Sequence, residues 1–178
     1  MRKHVTATIL ALCCAAAPAT AEVHATRDRL GDALELLVPL GAAAYAGSQR
    51  DLQGLGQWGL TLAVSQGSTE LLKRVVRSHR PDGTGLGFPS GHASIVFASS
   101  AFVQERYGLA TAAPFYALAT VTAWSRVHTH HHFTKDVIGG AAIGVGSGFL
   151  MTRPREKGSS LAAGLDGDGV RVRWAYAW

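Results

Sequence analysis

Apolar stretches run from Ala33 to Ala46, Trp58 to Val76, Ala93 to Tyr107, Leu109 to Trp124 and Val137 to Met151, and they predict five helices. Glycine, proline and charge punctuate each gap: Gln49-Arg50-Asp51 with Gly54 and Gly56, then Pro81-Asp82-Gly83, Gly108, and Arg153-Pro154-Arg155. The pattern changes in the tail. Leu161 to Leu165 and Val170 to Tyr176 flank the turn signal Asp166-Gly167-Asp168-Gly169, which predicts a short β-hairpin. One face of it would carry Val170, Val172, Trp174, Tyr176 and Trp178, placed to pack on the helices or to meet a bilayer interface. The expected fold class is therefore all-α, a helical bundle of about five core helices with a short C-terminal β-hairpin.

The first residues follow a different logic. Arg2 and Lys3 make a basic start, Val5 to Ala17 an apolar stretch, and Ala19-Thr20-Ala21 a small-residue cleavage site, so residues 1–21 read as a secretory signal peptide. An uncleaved anchor is the alternative, and either exports the rest of the chain. The helical domain then covers 22–157 and the hairpin tail 158–178. Both cysteines, Cys13 and Cys14, fall inside the signal, so the mature chain would hold no disulfide. Losing Arg2 and Lys3 takes the formal net charge from +5 to +3. The 178 residues fit one domain, and a hydrophobic fraction of 47% lies between that of a soluble enzyme and that of a protein made of membrane spans.

Three short clusters carry the chemistry. Lys73 and Arg80 are seven apart, which on a continuous helix returns them to nearly one face before Pro81 stops it. A lysine point charge beside an arginine fork suits several oxygens of one phosphate. Arg74 and Arg77 are assigned to solvent or a headgroup surface. Next, Ser90 is placed to cap a helix starting near Gly91, Pro89 keeps the chain before it extended, and the free N–H groups there attract an anion that Gly91 would let approach and His92 would stand beside. A capped helix with an exposed histidine is the plainer reading of that segment. In the third cluster His132 and Asp136 are four apart, a spacing that sets them on one helix face. The carboxylate could then orient the imidazole and leave its other nitrogen free to attack phosphorus, while Arg126 supplies another fork of donors.

Together these residues spell Lys-x6-Arg-Pro, Pro-Ser-Gly-His and Ser-Arg-x5-His-x3-Asp, in that order, and the chain resembles the type 2 phosphatidic acid phosphatase and vanadium-dependent haloperoxidase superfamily from Lys73 to Asp136. The resemblance implies a lipid phosphate or diphosphate phosphatase with His132 as the nucleophile that becomes phosphohistidine. Asp136 would be its partner and His92 the general acid and later base. Lys73, Arg80, Ser90, Gly91 and Arg126 would hold the phosphate. It implies no cofactor and no metal. Two other functions fit the same pocket: a haloperoxidase that binds vanadate at His132, and a non-catalytic anion or lipid-binding module. The run His128, His130, His131 invites a metal-site reading, or else supplies loop residues that tune selectivity.

If residue 22 starts outside and the five helices alternate across a bilayer, all three clusters fall on the outer side and Arg153, Arg155 and Lys157 fall inside. The expected setting is thus a bacterial-type inner membrane with transmembrane helices and the site facing the periplasm, with a phosphorylated lipid and the membrane as partners. No nucleic acid or obligate protein partner is expected. A helix of fifteen residues rises only about 22 Å against a hydrocarbon core of about 30 Å, which keeps a soluble or peripheral periplasmic bundle as the alternative.

Overall fold

The structure, a computed structural model, describes residue 26, residues 29–155, and the backbone of residues 159–166 and 169–176. The segment read as a signal peptide, with both cysteines, lies outside the described residues, as do Lys157 and Trp178. Helix α1 covers residues 29–48. It is followed by α2 (Leu52–Val76), α3 (Gly91–Tyr107), α4 (Leu109–His128) and α5 (Thr134–Met151), then by β1 (Ser159–Asp166) and β2 (Gly169–Tyr176). The two strands pair antiparallel, with Asp166 opposite Gly169 at the turn and Ser159 opposite Tyr176 at the open end. The hairpin side chains lie outside the described residues.

Helix α3 sits in the middle, packed against α2, α4 and α5. Its sequence makes that possible, because alanine and serine occupy most of its faces and let four neighbours approach. Phe102 and Val103 meet Ala42, Ala46 and Ala112 in one cluster, and Val96 meets Val38 and Ala119 in another, so α1 and α4 close over it. The buried hydroxyls are satisfied locally: Ser99 and Ser100 donate to Ile95 O and Val96 O, one turn back. Across the α2–α3 seam, Thr69 Oγ1 donates to Ser94 Oγ at 2.8 Å, and Ser94 Oγ also lies 2.5 Å from Ser65 Oγ.

The α3–α5 contact depends on glycine. A Cβ on Gly140 would fall on Ser90 O, on Gly144 against Ser94 O and Ala98 N, and on Gly148 against Ala101. In an exposed helix interior, Gly→Ala stabilises by roughly 0.5–1 kcal/mol. At Gly144 the sign should reverse, because overpacking against backbone costs about 1–3 kcal/mol. Gly144→Ala is expected to lower the thermal unfolding midpoint by several degrees. Gly146→Ala, where a Cβ meets nothing within 4 Å, should leave it unchanged or raise it. Equal midpoints for the two variants would contradict the close approach.

Two helix ends differ from the sequence expectation. Helix α2 stops at Val76, with Arg77 in the left-handed conformation (φ 47°) and its N–H donating to Lys73 O, so Arg80 lies beyond the helix and not two turns along it. His132 likewise precedes α5, which begins at Thr134. Transmembrane helices are expected from the sequence, and among the described residues no helix is long and apolar enough to cross a membrane. Length is not the obstacle in α2, whose 25 residues rise about 37 Å. Its polar content, from Thr61, Ser65, Gln66 and Thr69 to Glu70 and Lys73, is.

Candidate active site

Chain direction brings one end of every helix to the same place: the starts of α1, α3 and α5 and the ends of α2 and α4. The three sequence clusters meet there. Ser90 caps α3, its Oγ accepting from Ala93 N–H at 3.4 Å, and its own N–H donates to Asp136 O at 2.8 Å. That second bond ties the start of α3 to the first turn of α5. Ser90 is fully buried, so its hydroxyl first serves the cap that leaves the other α3 amides free. Lys73 Nζ sits near Gly91, 3.7 Å from where a Cβ would be, and is paired with Glu70 at 2.8 Å. Gln66, on the same helix as Lys73, donates to Gly91 O at 3.3 Å.

Arg80 arrives by a short loop. Its N–H donates to Gly85 O, and Gly87 N–H donates to Ser78 O across a bridge between His79 and Leu86. Its side-chain Nε donates to Leu86 O. Gly87 is wedged in: a Cβ there would press on Asp136 Oδ2 and on the Arg80 backbone. This glycine, which no motif specifies, lets the Arg80 loop lie on the third cluster. Asp82 fastens the same loop, accepting from Thr84 N–H and Oγ1 and pairing with His131 Nδ1 at 2.8 Å. Those Thr84 bonds hold its carboxyl well below the usual carboxylate range, with His131 adding to them.

His132 and Asp136 are both buried. The C-terminal end of α4 fixes His132, whose N–H donates to Arg126 O at 3.1 Å. Its Nδ1 stands 3.6 Å from Asp136 Oδ2, within ion-pair range but longer than a hydrogen bond. Asp136 Oδ2 instead accepts from Phe133 N–H at 3.0 Å, the reach-back of an N3 acid to the helix start, and Nδ1 has no hydrogen-bond partner among the described residues. The pair therefore meets through a capping turn and not along one helix face. Burial pushes the imidazole down to about 4, with the positive charges of Arg80, His92 and Lys73 acting in the same direction. A neutral imidazole among cations keeps its lone pair available. The His92 and His132 rings lie 6.5 Å apart, centroid to centroid.

Arg126 is almost wholly buried, and α1 lies directly on it: a Cβ on Gly31 would strike Arg126 Nη2 and Ser125 Oγ. The next turn of α1 contributes two carboxylates that the motifs do not contain. Asp32 Oδ1 accepts from Arg126 Nη1 at 2.9 Å, and Glu35 Oε2 lies 3.0 Å from His92 Nε2. Asp32, Glu35 and His92 form the group whose ligand atoms gather closely enough, within 4.8 Å, to hold a metal ion among the described residues. The histidine run does not form such a group there. His128 stacks on Trp124 with centroids 4.2 Å apart, His131 serves Asp82, and His130 turns the chain with φ 59°.

The structure thus brings a buried, neutral imidazole and a second histidine together with Lys73, Arg80 and Arg126, an arrangement suited to an anionic ester. The sequence model of the PAP2 superfamily matches residues 82–158, which contain the second and third clusters. The chain is 34% identical over 137 residues to the lipid A 4'-phosphatase of Helicobacter pylori, covering 70% of this chain and 69% of that protein. It is 31% identical over 133 residues to the lipid A 1-phosphatase of Porphyromonas gingivalis, covering 64% of this chain but only 28% of the relative. The crystal structure of Aquifex aeolicus LpxE shares the fold, with a TM-score of 0.62 over 72% of this chain and 84% of that one at 18% identity. The chain belongs to the PAP2 superfamily, and it is a phosphoric monoester hydrolase of the lipid phosphatase type.

Proposed function

We propose that the protein removes a phosphate monoester from a lipid A-type glycolipid by way of a phosphohistidine at His132. The observation that carries this reading is the facing pair His92 and His132, 6.5 Å apart inside the cationic ring. Lys73, Arg80, Arg126, the Ser90 hydroxyl and the Gly91 amide hold the phosphate oxygens. They stabilise the charge that builds up on them as phosphorus becomes five-coordinate. The free nitrogen of His132 attacks phosphorus while the bond from phosphorus to the lipid oxygen breaks, and His92 gives that oxygen a proton. The phosphoimidazolium so formed lies beside the Asp136 carboxylate. His92, now neutral, takes a proton from water, the water oxygen attacks phosphorus, and phosphate leaves as His132 is restored. The scheme routes no step through a metal ion.

Lipid A as substrate class is supported by two relatives named for it, acting at different phosphates of that lipid. The reading puts the enzyme at a lipid surface. Leu36, Leu37, Leu40, Leu60 and Leu71 stand exposed on the outer faces of α1 and α2, which favours contact with acyl chains. The basic start and apolar run of the first residues support a site on the periplasmic side of an inner membrane. Phosphate release from the full chain, measured against lipid A, phosphatidate, a polyprenyl diphosphate and phosphatidylglycerol phosphate, should be fastest with lipid A. Faster turnover of any other lipid would overturn the substrate, and release from none would overturn the activity.

A further inference from the structure

Helix α1 carries no residue of the three motifs, yet it places charge at the centre of the site. Asp32 and Glu35, one turn apart, share a face of α1. Asp32 Oδ1 touches one side chain assigned to the phosphate and the one assigned as general acid: Arg126 Nη1 at 2.9 Å and His92 Nε2 at 3.4 Å. Glu35 Oε2 lies 3.0 Å from the same His92 nitrogen. A single anionic oxygen lodged between an arginine fork and a histidine makes the contacts that one oxygen of a bound phosphate would make. The Asp32 side chain is 62% exposed, so it can swing into solvent without uncovering a core, whereas Arg126 is 97% covered and cannot follow it.

We infer that Asp32 and Glu35 are specificity-determining residues, an internal anion that competes with phosphate for Arg126 and His92. This rests on the roles given above to Arg126, which holds the phosphate, and His92, which protonates the leaving oxygen. A phosphate entering the pocket must displace the Asp32 carboxylate or share the pocket with it, and like charges at that range repel. Bare inorganic phosphate has only its own oxygens with which to do so. A phosphate borne on a lipid brings the binding energy of its sugar and acyl chains, and this offsets the displacement. The acid pair thus weakens product and free phosphate more than substrate, and it speeds clearance of the site after each turnover.

The test uses the full chain with inorganic phosphate as the probe, titrated calorimetrically in EDTA so that no divalent cation gathers at Asp32, Glu35 and His92. Asp32→Asn keeps the shape of the side chain and removes the charge. It should bind inorganic phosphate about tenfold tighter than the wild type, with a matching rise in product inhibition and a lowered KM for the lipid. Glu35→Gln should shift the same constant in the same direction. A residue with a merely structural role would weaken phosphate binding or lower the unfolding midpoint and would not tighten binding. Unchanged or weaker phosphate binding in Asp32→Asn overturns the inference even if lipid turnover is normal. Tighter binding in a protein that hydrolyses no lipid would leave the inference standing and remove the proposed function.

Discussion

His132→Ala is expected to reduce phosphate release by at least about 10³-fold, with a folded chain whose unfolding midpoint is lowered only by the cavity the buried ring leaves. In the proposed mechanism every other polar group at the site holds or orients the phosphate or moves a proton, and none replaces the nitrogen that bonds to phosphorus. Removing the ring deletes no hydrogen bond of its Nδ1, because that atom makes none. The fold should therefore tolerate the change better than it would the loss of Asp136, which anchors the start of α5 through Phe133. The assay is single-turnover phosphate release on the purified variant. Acid quenching of the wild type should also trap an acid-labile phosphoprotein that the variant fails to form. Residual turnover within tenfold of the wild type would remove His132 from the mechanism.

The same residue gives the protein a pH signature. In the folded chain the His132 imidazole stays neutral until about pH 4, whereas in the unfolded chain it gains its proton near 6.5. Between those values the unfolded state holds a proton that the folded state does not, so stability falls as pH drops through that window and levels off below about 4. The contribution amounts to at most about 3 kcal/mol. Chemical denaturation of wild type and His132→Gln at pH 7 and pH 4.5 isolates it. The wild type should lose more stability than the variant between the two, and equal losses would contradict the depressed imidazole.

The sequence was most legible where chemistry repeats in a fixed order. Lys73, Arg80, Ser90, Gly91, His92, Arg126, His132 and Asp136 do gather at one end of the bundle, and all five helices appear near their apolar stretches. What the spacing misjudged is how two of the pairs meet. Seven and four residues suggest helical faces, but the left-handed Arg77 ends α2 early and a capping turn precedes α5. Pro81 was the visible stop signal, while an arginine in the left-handed region leaves no trace in composition. Asp32 and Glu35 were invisible for another reason. They act on Arg126 and His92, 94 and 57 residues away, and a charge on an amphipathic first helix reads as a solvated face unless the packing is known. Two carboxylates one turn apart, just after a glycine that admits close approach, were the one available cue.

Distance also hid the strongest structural pair, whose loss should be the largest single blow to stability. Asp51-Arg106 joins the start of α2 to the end of α3, at the opposite end of the bundle from the phosphate site. In sequence these residues look like turn charges. In the fold both are buried, with Arg106 Nε and Nη2 each donating to an Asp51 oxygen at 2.7 Å. Asp51 also accepts from Gly54 N–H at 2.8 Å as the cap of α2 and from Tyr107 Oη at 2.9 Å. Arg106 Nη1 donates to Arg153 O and Pro154 O, fastening the exit of α5. The Arg106 hydrogen bonds hold the Asp51 carboxyl far below its usual range, so the pair's contribution is complete above that range and is lost as pH falls below it towards the depressed value. Asp51→Ala removes a cap and leaves a buried guanidinium unpaired, a change that costs about 3–5 kcal/mol. Adding Arg106→Met should restore part of the loss, because the stranded charge is then gone, and the double variant should unfold above the single one. If Asp51→Ala alone unfolds within about 1 kcal/mol of the wild type, the pair is a surface contact in all but position. The folded fraction of each variant should keep the wild-type KM, since nothing in this network touches the phosphate pocket at the other end of the helices.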